Sequence, residues 1–314
     1  MSSASGYYVG IDIGGTNTEI GLIERDGSVK CLESIKTTGN GFETFFAETC
    51  EAITKITNGE KYLGIGIGAP SANPEKGCLD NPINLKWGTV EISKIFNQRF
   101  HVPVKLINDA NAAALGELRF GRAKDWHSFI HVTLGTGLGS SIIYENKVIN
   151  GKDGFAGELG HTKISDRHRL CTCGHYGCLE TYVSANGIRR TVYELLAARQ
   201  DESELRSVNY NDLNPKLIAE YAHDGDPIAI KAYNITGQIL GDKLADVFAL
   251  LNPQGVCLSG GMTGAGDVLI NPVRDALFSS LLDIHKHDID LRVSDPDSRI
   301  AVLGAASLVM DINQ

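Results

Sequence analysis

The segment between Gly157 and Glu180 carries the clearest chemical signal in this sequence, because it concentrates side chains that bind metal ions. It reads G-E-L-G-H, nine further residues, and then C-T-C-G-H-Y-G-C-L-E. One imidazole and three thiolates suit tetrahedral zinc. The segment supplies these groups as His161, Cys171, Cys173 and Cys178. Four protein ligands leave no open position for a reacting water, so the zinc is predicted to be structural. His168 and His175 compete with His161 for the fourth position, and spacing alone does not choose among them.

Two glutamates, Glu158 and Glu180, flank the four ligands. A metal ion that folds this loop would fix the directions of both carboxylates. Carboxylates held in fixed directions can accept hydrogen bonds from a polyhydroxylated ligand such as a sugar. The segment therefore predicts a binding site beside a structural metal, and the rest of the chain has to supply the reaction.

Three glycine-rich turns follow segments with strand character, and each could hold phosphate groups. They are D-I-G-G-T-N at 12–17, T-L-G-T-G-L-G at 133–139 and S-G-G at 259–261. Glycine lets backbone N–H groups approach an anion closely, and threonine adds a hydroxyl donor. The turns are neither Walker loops nor Rossmann fingerprints, because the lysine or the strand-to-helix context of those motifs is missing. The first two share the order strand, Gly/Thr turn, strand, which predicts two duplicated β-sheet lobes.

Asp12 and Asp109 are carboxylates that a phosphoryl transfer could use. Asp12 ends an apolar strand and could bind Mg²⁺ directly or through water, or it could be a surface or capping carboxylate. Asn108 and Asp109 end another strand and open a helix. Both are favoured N-cap residues, so the pair could be no more than a cap. Alternatively, Asp109 is a general base for an alcohol, which contributes about 10²–10⁴-fold to a rate.

Hydrophobic periodicity and turn residues predict the elements that position these groups, in an α/β chain. Strands are predicted over Tyr7–Ile13, Thr18–Ile23, Val29–Lys36, Tyr62–Ala69, Val102–Ile107, Ser128–Leu134, Ser140–Tyr144 and Gly255–Ser259. Helices are predicted over Phe42–Thr57, Ala110–Phe120, Ser184–Arg199, Asn214–Asp224, Pro227–Leu251 and Ala301–Met310. The stretch 71–87, rich in Pro, Asn and Gly, is predicted to be a loop and a binding surface.

The composition narrows the class of protein. Hydrophobic residues make up 42% and charged residues 21% of the 314 residues, as in soluble globular proteins. A net charge of −9 argues against a protein that gathers nucleic acid electrostatically. No apolar run approaches the roughly 20 residues of a membrane span, and the short polar N-terminus predicts no secretory signal. A cytoplasmic location is expected, where an odd trio of clustered cysteines fits a metal better than disulfides.

These motifs together resemble the ROK family of sugar kinases, repressors and related proteins, within the actin/hexokinase-like superfamily. D-I-G-G-T-N and T-L-G-T-G-L-G look like its two phosphate motifs, and L-I-N-D-A-N-A-A-A-L-G-E looks like its catalytic segment. G-E-L-G-H and the cysteine motif look like its sugar and zinc signatures, and S-G-G-M like its adenosine loop. The resemblance covers residues 9 to 266 and implies a two-lobed α/β fold of the ribonuclease H-like kind. Mixed β-sheets flanked by helices would border an interlobe cleft.

The resemblance also implies domain bounds and residue roles. Residues 1–120 would form the N-terminal lobe, joined by the C-terminal helix at 297–314, and 121–296 the larger C-terminal lobe. Asp109 would take the proton from the C6 hydroxyl of a hexose. The sugar-binding residues would be Asn84, Asn108, Asp109, Glu158, His161 and Glu180. The nucleotide-binding residues would be Asp12, Gly14, Gly15, Thr16, Asn17, Thr133, Gly135, Thr136, Gly137, Gly260 and Gly261. Mg²⁺ would bind Asp12, and structural zinc would bind His161, Cys171, Cys173 and Cys178.

The function that the resemblance implies is phosphorylation of a hexose by ATP, with glucokinase as the first hypothesis. An N-acetylmannosamine or N-acetylglucosamine kinase, or another hexokinase of the family, is the alternative. A sugar-responsive repressor is the less favoured hypothesis, because family repressors carry a helix-turn-helix ahead of this region and only six residues precede Tyr7. The loop A-P-S-A-N-P departs from the family, whose sugar kinases often carry Gly or Gly-Arg there, so no sugar contact is assigned to Ser71. A homodimer without nucleic-acid or membrane partners is expected.

Overall fold

A computed structural model describes residues 6–37, 41–82, 85–152, 154–164, 168–287, 289–296 and 299–310. The chain divides into two units. Unit 1 takes the described parts of Met1–His127, Ser141–Ala156 and Asp297–Gln314, and unit 2 takes those of Ser128–Ser140 and Gly157–Pro296. No helix among the described residues is both long enough and apolar enough to cross a membrane.

The strands are β1 (Tyr7–Ile13), β2 (Asn17–Ile23), β3 (Val29–Lys36), β4 (Tyr62–Ala69), β5 (Ala72–Asn73), β6 (Cys78–Leu79), β7 (Val104–Asn108), β8 (Phe129–Leu134), β9 (Leu138–Tyr144), β10 (Lys147–Val148), β11 (Gly255–Ser259) and β12 (Asp290–Val293). The α-helices are α1 (Phe42–Thr57), α2 (Ile92–Phe100), α3 (Asp109–Arg119), α4 (Glu180–Val183), α5 (Ala185–Ala198), α6 (Pro215–His223), α7 (Pro227–Leu251), α8 (Asp267–Ser280) and α9 (Ile300–Met310).

The first sheet has the order β3-β2-β1-β4-β7. β1, β2 and β3 pair antiparallel, whereas β1, β4 and β7 run parallel. In the parallel part Asp12 lies opposite Gly68, and Ala69 lies opposite Asn108. The carboxyl ends of these three strands therefore meet at one edge of the sheet, as the sequence-predicted site requires.

Helices cover both faces of the first sheet. Val9, Ile11 and Ile13 share one hydrophobic cluster with buried residues of α1 and α2, while Tyr8 packs with α9 on the other face. This alternation is what a strand with period two requires when both of its faces are buried. A Cβ on Gly66 would lie 1.7 Å from a carbonyl oxygen of α9, so glycine there lets the helix rest directly on the sheet.

The second sheet has the order β10-β9-β8-β11-β12, with β8, β11 and β12 parallel. Position by position this is the order of the first sheet. The duplication predicted from the two strand, Gly/Thr turn, strand segments is confirmed, as is the α/β class with mixed sheets flanked by helices. In the parallel part Thr133 lies opposite Ser259, so two of the glycine-rich turns leave the same edge of this sheet.

The structure contains elements that the sequence did not predict. The helices α2 and α8 and the strand β12 are new, and the predicted 71–87 loop holds the short hairpin of β5 and β6. Pro272 lies inside α8 and argues against a helix there in the sequence, because proline removes an intrahelical hydrogen bond. The helix nevertheless packs on α7, where a Cβ on Gly237 would come within 2.5 Å of the Pro272 Cβ. Tertiary packing here outweighs the local propensity.

Candidate active site and metal centre

Asp12, Asn108 and Asp109 lie together at the carboxyl edge of the first sheet, and this group is called the carboxylate edge. Gly68 lies between its members: a Cβ built there would be 3.7 Å from Asp12 Oδ1 and 3.8 Å from Asp109 Cα. The predicted base and the predicted Mg²⁺ ligand are therefore neighbours within unit 1. In open α/β sheets, ligands bind outside the carboxyl ends of parallel strands, which is where these residues lie.

Asn108 caps α3, as the simpler of the two hypotheses predicted. Its Oδ1 accepts hydrogen bonds from the N–H groups of Ala110 (2.9 Å) and Asn111 (3.3 Å). Asp109 also accepts from Ala110 N–H, at 2.9 Å, through Oδ1. Capping engages one oxygen of each side chain. The cap bond to Asp109 uses Oδ1 and does not engage the second carboxylate oxygen, so the cap and a catalytic role for Asp109 are compatible.

The electrostatics of the carboxylate edge favour a bound cation. Burial, together with the nearby Asp109 and Glu19 carboxylates, raises the pKa of Asp12 to about 7. Burial also raises the pKa of Asp109 above its ordinary value. When two carboxylates lie close together away from solvent, ionising both costs free energy through charge repulsion and desolvation. A bound divalent cation offsets that cost. Mg²⁺ is commonly held by one or two carboxylates together with substrate phosphates, so the donor set fits it.

The first Gly/Thr turn presents exposed backbone beside Asp12. Gly14 N–H donates to Asn17 C=O at 3.0 Å, and a Cβ on Gly14 would meet that oxygen at 2.8 Å. Gly15 differs, because its φ is not left-handed and an added Cβ would have nothing within 4 Å. Neither conformation nor packing requires glycine at position 15. The close approach of a ligand to the backbone would explain why glycine is present at this position. Thr16 and Asn17 are exposed next to it.

The second Gly/Thr turn repeats this pattern in unit 2. Gly135 N–H donates to Gly137 C=O at 3.0 Å, and an added Cβ on Gly135 again meets nothing within 4 Å. The turn is fixed from behind by α5, since Ala185 N–H donates to Gly135 C=O and Asn186 Nδ2 to Thr136 C=O. Asn186 had no sequence signal, because it bonds to a backbone carbonyl 50 positions away.

The third turn follows β11 and contains two glycines with different roles. Gly260 has φ +91°, and a Cβ there would lie 2.5 Å from the carbonyl oxygen of Leu134 at the end of β8. The fold itself therefore requires glycine at 260. Gly261 has open space around it, like Gly15 and Gly135. This turn and Thr133 lie at the same sheet edge, so unit 2 gathers its predicted nucleotide-binding residues there.

The four predicted zinc ligands come together in unit 2. The donor atoms of His161, Cys171, Cys173 and Cys178 all lie within 4.8 Å of one another. Cys171 Sγ is 3.7 Å from His161 Nδ1, and Cys173 Sγ is 3.6 Å from Cys178 Sγ. Tetrahedral zinc with bonds of about 2.0–2.3 Å separates its ligand atoms by roughly 3.3–3.8 Å, so the arrangement fits this metal. His161 is the histidine of this group; His175 Nδ1 lies 3.5 Å from Cys173 Sγ but outside the group.

The two predicted sugar-binding glutamates of unit 2 adjoin the metal ligands. Cys171 Sγ is 3.0 Å from Glu180 Oε1, and His161 Nε2 is 3.9 Å from Glu158 Oε2. A Cβ on Gly137 would lie 2.9 Å from Glu180 Oε2, so Glu180 also borders the second Gly/Thr turn. The predicted metal ligands, the predicted sugar-binding Glu180 and the second Gly/Thr turn are thus contiguous in unit 2.

The sequence-predicted residues therefore form two groups. Unit 1 gathers the carboxylate edge and the first turn, and unit 2 gathers the two other turns, the metal ligands and the two glutamates. Asn84 lies outside the described residues. Ser71, which begins the segment before it, has φ +54°, a conformation that favours glycine, and its carbonyl accepts Asp80 N–H at 2.9 Å.

Comparison with known proteins gives concordant results. The model of the ROK family matches residues 8–312. A glucokinase from Streptomyces coelicolor is 29% identical over 312 residues, which are 98% of this chain and 98% of that protein. A xylose repressor from Caldicellulosiruptor bescii is 31% identical over 249 residues, which are 79% of this chain and 62% of the repressor.

A solved structure is also similar over nearly the whole chain. It is a ROK family glucokinase from Streptomyces griseus in complex with glucose and AMPPNP, with a TM-score of 0.83 and 29% identity. The match covers 96% of this chain and 99% of that one. The likeness confirms the predicted actin/hexokinase-like fold class.

Proposed function

This chain belongs to the ROK family, and we propose that it is a kinase that transfers a phosphoryl group from ATP to the C6 hydroxyl of glucose. The observation that carries the proposal is the carboxylate edge, where the half-buried Asp109 lies beside Asp12. A protein that only senses a sugar has no need of a base with a raised pKa next to a second carboxylate. Glucokinases are among its relatives over almost their full length, which supports glucose as the acceptor.

Asp109 is assigned the role of general base. Once ionised, its carboxylate accepts the proton of the C6 hydroxyl while that oxygen forms a bond to the γ-phosphorus. The bond from this phosphorus to the bridging oxygen breaks, and ADP leaves with the electron pair. The products are the hexose 6-phosphate, ADP and one proton held by Asp109. In phosphoryl transfer, positioning and electrostatics supply most of the acceleration, and the base contributes the remainder.

The nucleotide is assigned to the turns that have open glycines. Gly15 and Gly135 leave space against their backbones, and Thr16 and Thr136 are exposed beside them, so both turns can donate hydrogen bonds to phosphate oxygens. Gly260 and Gly261 are assigned to the adenosine. Asp12 would hold Mg²⁺, which, when bound, neutralises charge on the phosphate oxygens.

The sugar is assigned to the glutamates, the histidine and the two asparagines. Glu158 and Glu180 are acceptors for ring hydroxyls, and Asn108 can use the side-chain N–H groups that its cap does not engage. His161 can serve twice, because Nδ1 faces Cys171 whereas Nε2 faces Glu158. Structural zinc held by the four ligands would fix this segment, since metal-bound histidines are commonly oriented by a carboxylate at the other ring nitrogen.

The sugar-responsive repressor is the second candidate, because a xylose repressor is 31% identical to this chain over 249 residues. Both functions need a sugar site, so sugar binding does not separate them. Turnover does. A gel-shift assay that finds tight, sequence-specific DNA binding together with no turnover would favour the repressor.

The proposal is tested by measuring ADP release with glucose, mannose, fructose, allose, N-acetylglucosamine and N-acetylmannosamine in turn. We expect the highest kcat/KM with glucose and a 6-phosphate product, identified by ³¹P NMR. A preference for an N-acetylhexosamine would replace the acceptor but keep the kinase. Absence of ADP release with all six sugars, from protein shown to be folded and zinc-loaded, would overturn the kinase itself. A cytoplasmic location and a homodimer remain predictions.

A further inference from the structure

We propose that Arg169 is a positioning residue for the sugar site, because it fixes the short helix that begins with Glu180. The inference rests on the proposed function in one respect only, namely that Glu180 binds the sugar. Arg169 precedes the first cysteine of the metal segment by two positions and carried no motif in the sequence. Its side chain is only 9% exposed, which is unusual for an arginine.

All five N–H donors of the guanidinium have acceptors. Nη1 donates to the carbonyls of Thr181 (2.7 Å) and Gly187 (2.9 Å). Nη2 donates to Thr191 Oγ1 (2.9 Å) and Glu194 Oε2 (2.6 Å), and Nε donates to Glu194 Oε1 (3.0 Å). Arginine alone has five donors in a rigid plane, so the site is specific for it.

These hydrogen bonds connect α4 and α5, which are separate helices because the chain is not helical between them. Ser184 has an extended conformation between α4 and α5, and its hydroxyl caps α5 by accepting Gly187 N–H at 3.1 Å. Thr181 belongs to α4, whereas Gly187, Thr191 and Glu194 belong to α5. A four-residue helix has little stability of its own. Its direction is therefore set by external contacts, and the guanidinium supplies one of them through the Thr181 carbonyl.

Tyr182 adds a second connection between Arg169 and α4. The guanidinium carbon lies 4.2 Å from the centre of the Tyr182 ring, and the backbone N–H of Arg169 donates to Tyr182 Oη at 3.2 Å. Gly187 permits α5 to start close to α4, because a Cβ there would lie 2.5 Å from the Tyr182 carbonyl carbon. Arg169 thus holds the two residues that directly follow Glu180.

The contacts of Arg169 with Thr181 and Tyr182 are called the arginine clamp. The clamp holds residues that follow Glu180 in the sequence, whereas the three cysteines and His161 precede it. Cys178 precedes Glu180 by two positions, and Arg169 contacts Thr181 and Tyr182, the two residues that follow Glu180. Arg169 supplies no atom to the Cys/His group. Zinc content and the arginine clamp can therefore be varied separately, which makes the inference testable.

The experiment compares Arg169→Lys with Arg206→Lys in zinc-loaded, full-length protein. Arg206 is a matched control, since its guanidinium also binds main-chain carbonyls in unit 2, those of Leu196, Arg199 and Asp201. We expect Arg169→Lys to raise the KM for glucose about 10-fold with kcat nearly unchanged. A displaced Glu180 would weaken the binding of the sugar and of the transition state by the same amount. Zinc content should stay the same, and amide hydrogen exchange at 180–183 should accelerate. Arg206→Lys should change neither the KM nor that exchange.

Three outcomes decide the matter. Faster exchange at 180–183 with an unchanged KM would overturn the positioning role and leave a structural one. An equal rise in KM for both variants would overturn it as well, as a general loss of stability. If the unaltered chain turns over no hexose, the proposed function fails, while hydrogen exchange and calorimetric titration with glucose still test the clamp. Glu194→Gln, which weakens only the exposed carboxylate partner, is the second variant if Arg169→Lys does not fold; we expect it to raise the KM about threefold.

Discussion

The two sheets share one strand order, yet their carboxyl edges carry different chemistry. The edge of the first sheet holds Asp12, Asn108 and Asp109, with pKa values raised by burial at both carboxylates. The corresponding edge of the second sheet holds glycines and hydroxyls, at Thr133, Gly135 and Gly260. The duplicated topology places residues at an equivalent edge in each unit, and each edge carries a Gly/Thr turn. Under the proposed function, the carboxylates of the first edge add proton exchange to phosphate binding.

The two units also stabilise their functional groups by different means. In unit 1 the carboxylate edge is held by regular structure, through the strand ends and the cap of α3. In unit 2 the Cys/His segment has little regular structure, and it relies on side-chain anchors. Ser140 is one of these anchors, since its hydroxyl donates to Gly157 C=O and accepts Leu159 N–H. Changes at the carboxylate edge should therefore alter the chemistry, and changes in the Cys/His segment should alter sugar binding.

Asp109→Asn is expected to have the largest effect. The variant keeps the cap of α3 but cannot take a proton, so kcat should fall by about 10²–10⁴-fold while glucose binding is retained. Turnover and calorimetric titration with glucose measure the two quantities. Asp26→Asn, in an exposed turn of the same unit, is the control and should leave kcat unchanged. A variant that loses sugar binding and kcat together would indicate a structural role for Asp109.

Loss of the metal should come next in size and should act on the sugar. Removing zinc by chelation, or replacing a ligand as in Cys178→Ser, frees the segment that carries Glu180, and KM for glucose should rise about 10–100-fold. Steady-state kinetics on protein of known zinc content measure this. Cys31→Ser changes an exposed thiol of unit 1 and should have no effect. Unchanged sugar affinity in demonstrably zinc-free protein would contradict the structural role of the metal.

The open glycines should report on the nucleotide alone. Gly15→Ala and Gly135→Ala add a methyl group where nothing lies within 4 Å, so the melting temperature should not change. If phosphates approach these backbones, KM for ATP should rise about 10-fold in each variant. Gly260→Ala is the contrasting change, because its left-handed φ and the 2.5 Å contact with Leu134 predict a lower melting temperature as well. ATP kinetics that are unaffected by both substitutions would place the phosphates elsewhere.

The smallest effect concerns stability and pH. In the metal-free chain the pKa of Asp12 is about 7 against an ordinary 3.8. The unfolded state therefore releases this proton first as the pH rises, and stability declines between about pH 4 and pH 7. Asp12→Asn removes this decline, so its melting temperature at pH 7.5 should exceed that of the unaltered chain, by roughly 2–4 °C for each 1 kcal/mol relieved. At pH 4 the two should melt alike.

Mg²⁺ and a second carboxylate provide controls for this comparison. Saturating Mg²⁺ should raise the melting temperature of the unaltered chain and leave Asp12→Asn unchanged, if Asp12 is the ligand. Asp26 behaves in the opposite sense, because hydrogen bonds from Ser28 lower its pKa. Asp26→Asn should therefore lose a little stability at neutral pH. A melting difference between Asp12→Asn and the unaltered chain that is the same at pH 4 and pH 7.5 would contradict the raised pKa of Asp12.

Much of the fold was predictable because local pattern and tertiary context agree. The hairpin of β1 and β2 and the helix α1 follow from periodicity and turn residues, and their observed bounds lie within one residue of those predicted. Helix α8 was not predictable, since Pro272 interrupts its pattern and the compensation comes from Gly237 in another helix. Local reasoning fails where a distant element supplies the missing stability.

The residues of the candidate site also fall into two groups, those with a local sequence signal and those defined by distant partners. The groups proposed to bind metal or transfer a proton were visible because their types and spacing are unusual, as with the cysteines and Asp109. The choice of His161 over His175 needed three-dimensional proximity, which spacing does not contain. Arg169 and Asn186 had no sequence signal, because their partners lie 12 to 50 positions away and half of the accepting atoms are backbone carbonyls, which every residue carries.

A crystal structure of the chain with glucose and a non-hydrolysable ATP analogue tests the central claim most directly. The account predicts an Asp109 carboxylate oxygen within hydrogen-bond reach of the C6 hydroxyl, at about 2.6–3.2 Å. It also predicts phosphates against Gly15 and Gly135. An Asp109 side chain directed away from the bound hexose, with another group next to the C6 hydroxyl, would contradict it.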